Sequence, residues 1–148
     1  MVNQEKVEGI LRNLEQYTGH LHTLATFSRD ELLADAIKLG AAKYYLQVAI
    51  ECCLDLSGHI IAAERFRAPK DYADTFKVLN EQGVFPDHFT QRLQQMARFR
   101  NLLVHLYAEV DNAQVYEGLQ ADLGDFETFV RHVLEFLARL EGAESPSE

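Results

Sequence analysis

The chain has 148 residues, of which 47% are hydrophobic and 25% charged, and it carries a formal net charge of −9. A chain of this length buries a core without disulfide or metal staples, and its balance is that of an ordinary globular domain. The acid excess argues against a broad nucleic-acid surface, which needs clustered cations, and it suits a basic partner protein equally well.

No window approaches a membrane-spanning stretch of about 20 apolar residues, so no membrane association is expected. The start, MVNQEKVEGI, carries Glu5 and Glu8 and has no apolar run, so it does not read as a signal peptide. Cys52 and Cys53 are neighbours within a helical pattern. Adjacent helical residues point about 100° apart, so they cannot easily bridge each other and read as reduced core thiols of a cytoplasmic protein.

In chain order, Val7, Ile10, Leu11, Leu14, Tyr17, Thr18, Leu21, Leu24 and Ala25 recur at helical spacing and predict an amphipathic helix over 3–26. His20 and His22, two apart, face different ways and read as solvated. Ser28 and Glu31 fit a capping box. The apolar pattern then continues to about Phe66, as a short helix followed by a long one or as one kinked helix. Between Tyr44 and Ala63 that pattern implies burial on more than one face, as for a central helix or one at a dimer interface. Glu51, Asp55 and His59 form an i, i+4, i+8 polar stripe on it. The bland reading of the stripe is solvated or hydrogen-bonded side chains; the sharper one has it orienting Arg100 or His105 from a neighbouring helix.

Ala68-Pro69-Lys70 breaks the pattern. Asp71 caps a helix that Gly83 ends. Pro86-Asp87 opens the next helix, expected to run to about Tyr107 or Ala108. Asp111-Asn112 cap a further helix. Gly124 interrupts or kinks it before a final apolar face from Phe126 to Leu140, with His132 expected at the surface. The fold class is all-α: an antiparallel bundle of about five helices, one domain over 1–141, with 142–148 a disordered tail. None of the six histidines has a glutamate three residues before it and no His-Glu-x-x-His is present, so neither a metal nor another cofactor is expected.

The most informative run is ARFRNLLVHLY, residues 97–107. Asn101 and His105, four apart, share a helical face. Arg100 lies about 140° round from His105 on a regular helix, and only its long side chain brings its charge to the same place. Tyr107 joins the group only if the helix ends or unwinds near Leu106, or if a second subunit comes close. A charged Arg within an apolar run points to a groove rather than a core position.

RNLLVHLY resembles the R-x4-H-x-Y signature of the HEPN superfamily, in its HepT-like branch of toxin ribonucleases. The flanking runs YYLQVAIECCLDLSGHIIA and DNAQVYEGLQADLGDFETF are similar to the helices around that motif, so the resemblance covers roughly residues 28–140. It implies a HEPN-like bundle that dimerises so that two motifs line one cleft. It implies Arg100 and His105 as catalytic residues, Asn101 as their support, and Tyr107 as a target for AMP transfer from a cognate minimal nucleotidyltransferase antitoxin. The implied activity is metal-independent endoribonuclease action on tRNA or mRNA, in a type VII-like toxin–antitoxin pair. The residues suit that chemistry: an imidazole serves as acid or base near neutrality, and a guanidinium holds phosphorane oxygens. RNA binding would then depend on a local basic cleft of Arg92, Arg98, Arg100, Arg65, Arg67 and Lys70. The alternative is a non-catalytic helical module of the same fold that binds a nucleotide or a partner.

Overall fold

The structure is a computed structural model that describes residues 1–105 and 111–144. Every described element is an α-helix: α1 (Gln4–Leu24), α2 (Arg29–Ala34), α3 (Ala36–Ala63), α4 (Tyr72–Glu81), α5 (Asp87–Val104), α6 (Asn112–Ala121) and α7 (Gly124–Glu144). The segments number seven where the sequence suggests about five, because two breaks are sharp. Asp35 ends α2 and at once caps α3, its Oδ1 accepting from the N–H groups of Ile37 and Lys38 at 2.9 and 3.2 Å. Asp122 and Leu123 separate α6 from α7, so Gly124 begins a helix rather than kinking one.

The expected caps form. Ser28 Oγ accepts from Glu31 N–H at 3.2 Å, and Glu31 Oε1 accepts from Ser28 N–H at 3.3 Å, which closes the capping box. Asp71 caps α4 and Asp111 caps α6. Gly83, at φ 78°, follows α4 in the left-handed region, and the Val84 N–H behind it donates to Leu79 O at 2.9 Å.

α3 is the axis of the bundle, with α1, α2, α4, α5 and α6 packed around it. Its buried positions cover more than one face, from Leu39 and Ala42 through Ile50, Cys53 and Leu56 to Ile60. Both thiols are free; burial pushes Cys52 up to about 11 and holds Cys53 well above the usual thiol range. The expectation that no window is apolar enough to span a bilayer needs correcting, because α3 meets that test by length and composition. More than half of its most apolar window is buried in the bundle, as a central helix requires.

Two boundaries and one burial differ from the sequence reading. α5 ends at Val104 rather than near Tyr107, and α7 continues to Glu144, past the expected limit at 141. Tyr107 and the last four residues of the expected tail lie outside the described residues. His132 is half-buried rather than exposed, its ring 5.5 Å from that of Phe89 and 6.1 Å from that of Phe85. An imidazole offers an apolar edge, and here it closes the aromatic core that Phe85 shares with Phe76 and Phe129.

Candidate active site

The Arg100 cluster forms where the last turn of α5 meets the middle of α3. Arg100 steps off the core-facing side of α5, after Leu93 and Ala97, at the point where Glu51 on α3 replaces apolar side chains. Its Nη2 donates to Glu51 Oε2 at 2.6 Å and its Nε donates to the same oxygen at 3.2 Å. Its Nη1 donates to Asn101 Oδ1 at 3.3 Å. The guanidinium lies 4.9 Å from the ring centre of Tyr72, the first residue of α4. The Arg100 side chain is 16% exposed and that of Glu51 31% exposed, so the pair sits at the floor of an open surface. In this setting a charge-assisted pair fixes a side chain more firmly than an exposed ion pair does.

His105 caps the end of α5 and is exposed. Its backbone leaves the helix at φ −86° and ψ 88°, and its N–H donates to Asn101 O at 3.2 Å. Asn101 thus meets both residues, Arg100 through its side-chain oxygen and His105 through its carbonyl.

The polar stripe on α3 divides. Glu51 is the direct partner of Arg100. Asp55 is within electrostatic reach: burial, then Glu51, pushes its carboxyl above the usual range, while Lys6 and Arg100 pull it back. His59 does not serve the cluster, which corrects the wider form of the sequence reading. Its Nε2 accepts from Asn3 N–H at 2.9 Å, and burial, Lys6 and the N-terminal ammonium hold its pKa down. The reason is geometric, because i, i+4, i+8 positions drift about 40° per step and leave His59 about 80° round from Glu51. Tyr72 was missed by sequence reasoning, and no local signal pairs an α4 tyrosine with an α5 arginine.

The expected basic cleft is thinner than its residue list. Arg67 is held by Asp74 at 2.8 Å and Glu81 at 2.7 Å, and Arg92 by Asp125 at 2.9 Å and Asp122 at 3.4 Å. Arg65, Lys70 and Arg98 are exposed and make no ion pair among the described residues.

Several large apolar side chains on the helices of the cluster are exposed, and of these Tyr72 touches Arg100. Ile37 and Tyr44 on α3, Tyr72 on α4 and Leu102 on α5 are 84%, 54%, 47% and 43% exposed. Ile37, Tyr44, Glu51 and Asp55 fall on one side of α3 at 100° per residue, so this side is apolar toward the start of the helix and charged at its middle.

The fold is that of a solved helical toxin. The Shewanella oneidensis HEPN toxin, tri-AMPylated and in complex with the MNT antitoxin, superposes with a TM-score of 0.83 at 20% identity, over 90% of this chain and 99% of that one. The family model described as ribonuclease HepT-like matches residues 7–133, and the chain belongs to that family. Its relatives include the mRNA nuclease HepT of Shewanella oneidensis, 30% identical over 70% of this chain and 74% of that protein. They also include the tRNA nuclease HepT of Aphanizomenon flos-aquae, 25% identical over 95% of this chain and 97% of that protein. Family membership makes the chain an endoribonuclease by class.

Proposed function

We propose that this protein is a homodimeric, metal-independent endoribonuclease toxin that cuts tRNA or mRNA at a site formed by Arg100 and His105 of two subunits. The observation that carries the reading is Arg100, held by Glu51 and Tyr72 at the end of the helix that His105 caps. An arginine so fixed offers directed donors to a phosphodiester, whose oxygens displace the Glu51 carboxylate. One imidazole takes the proton of the RNA 2′-OH as that oxygen attacks phosphorus. The imidazole of the second subunit protonates the departing 5′-oxygen. The products are a 2′,3′-cyclic phosphate and a 5′-OH end. Each chain supplies one such histidine, so the mechanism needs two copies. The exposed Ile37 and Tyr44 on the side of α3 that carries Glu51, with the exposed Tyr72 against Arg100, support a two-fold interface on this side.

Residues 1–141 act in this reading as one cytoplasmic domain. The controlling partner is a minimal nucleotidyltransferase antitoxin that transfers AMP to Tyr107, adding bulk and negative charge that repel RNA phosphate. Support comes from the toxin of the same fold that is AMPylated and bound to an antitoxin.

The test is cleavage of total tRNA and of a model mRNA by the purified chain in excess chelator. The wild type is expected to cut and leave cyclic phosphate ends. Arg100→Ala and His105→Ala are expected to lose at least about a hundredfold in rate while keeping the helical spectrum, as general acid–base and electrostatic groups do. Normal cleavage by His105→Ala would overturn the assignment. The second reading, a non-catalytic binding module, is favoured by one observation: the charge of Arg100 is already met within the chain by Glu51. A folded dimer that cuts neither RNA, yet binds the nucleotidyltransferase, would establish it.

A further inference from the structure

Away from the Arg100 cluster, a long furrow runs between α1 and α7. The two helices are antiparallel: His22 lies 3.8 Å from Glu127 at one end, and Val7 and Leu140 share a hollow at the other. Two hollows of about 410 and 460 Å³ meet at Leu11. Together they follow α1 from Gln4 to His22, roughly 27 Å at the helical rise. The floor is apolar, with Val7, Leu11 and Leu14 from α1 and Val130, Leu134 and Leu137 from α7; Leu134 is 47% exposed. The rim carries Glu8, Glu15, Glu64, Glu127 and Glu141, and no Lys or Arg lines either hollow. The positive groups present are at the two ends, the imidazole of His22 when protonated and the Met1 ammonium, which donates to Ala63 O at 3.1 Å.

We propose that this furrow docks an amphipathic helix of a partner protein, with an apolar stripe between flanks of Lys and Arg. The apolar strip has the length of a five-turn helix and the glutamates follow it on both sides, so stripe and flanks are matched together. A second copy seated furrow to furrow is a poor occupant, because it would set the glutamates of this rim against their own copies. RNA and anionic membrane are repelled by the same rim. The proposal stands apart from the nuclease reading, since none of Glu51, Arg100, Asn101 or His105 lines the furrow.

The test uses the full chain and two labelled peptides of about 20 residues with the same leucine stripe at i, i+3, i+4, i+7, one with Lys and Arg flanks and one with Glu flanks. Fluorescence anisotropy is expected to show the basic peptide binding, more weakly as salt rises, and the acidic peptide binding at least about tenfold less well. Amide hydrogen exchange is expected to slow in α1 and α7. Leu134→Asn and, separately, Glu8→Lys with Glu15→Lys are each expected to weaken binding at least about tenfold while RNA cleavage is unchanged. Glu8 and Glu15 are exposed, so the charge variant folds even if Leu134→Asn does not. Equal binding of both peptides, no binding of the basic one, protection elsewhere, or wild-type affinity in the charge variant would overturn the proposal. So would sedimentation showing self-association that Leu134→Asn abolishes. Cleavage measured on the same samples separates this outcome from failure of the nuclease reading.

Discussion

At the scale of single residues, the site is a problem in where charge is held. Glu51 fixes Arg100 through one carboxylate oxygen, at 2.6 and 3.2 Å. Glu51→Gln removes the counter-charge from a half-buried guanidinium, so stability is expected to fall by about 1–2 kcal/mol in denaturant unfolding, less than for a fully buried pair. With Arg100 less firmly aimed, the cleavage rate is expected to fall roughly tenfold. Asp55 behaves in the opposite sense. Its carboxyl titrates above the ordinary value of 3.8 because of burial first and Glu51 second. An acid whose pKa is higher folded than unfolded lowers stability above its folded pKa, and that loss disappears as pH falls below the unfolded value. Asp55→Asn is therefore expected to raise Tm at pH 7 to 8, with the gain shrinking to nothing as melts approach the ordinary value of 3.8. The sequence made the Glu51–Asp55–His59 stripe visible by its spacing. It could not show that Glu51 alone bonds Arg100, because that depends on the rotation of α3 against α5 and on the pull of Asn3 upon His59.

At the scale of elements, starts were more legible than ends. Asn, Ser and Asp caps act through their own side chains, so Ser28, Asp71 and Asp111 announce α2, α4 and α6 locally. The end of α5 has no such local mark, since the apolar run continues to Leu106 while the helix stops at Val104. The sequence made the part of Tyr107 conditional on a helix that ends or unwinds near Leu106 or on a second subunit, and Tyr107 itself lies outside the described residues. Gly83 is the exception among ends, a glycine at φ 78° that turns α4 into α5. Gly83→Ala is expected to cost about 1 kcal/mol in thermal or denaturant unfolding, the strain of a Cβ in the left-handed region. Asn80 supports the same turn, its Nδ2 donating to Phe85 O at 2.8 Å and Asp87 Oδ1 at 2.9 Å.

At the scale of the whole molecule, the bundle presents two unlike exposed surfaces. The side of α3 that carries Ile37, Tyr44 and Glu51 is exposed and apolar toward the start of the helix and charged at its middle, as suits the proposed contact with a like copy. The furrow of α1 and α7 is apolar within an acidic rim, as suits an unlike and basic partner. Ile37→Glu with Tyr44→Glu is expected to give monomers in sedimentation equilibrium, with cleavage lost and helicity unchanged, since both side chains are exposed. A monomer that cleaves at the wild-type rate would show that one motif suffices.

The paired thiols of α3 have a practical use. With Cys52 pushed up to about 11 and Cys53 wholly enclosed, neither holds much thiolate near neutrality. An alkylating reagent can reach them only when the central helix breathes. The rate at which iodoacetamide adds mass to the chain is therefore a clock for opening of the bundle axis, readable in a mass spectrometer without any added probe.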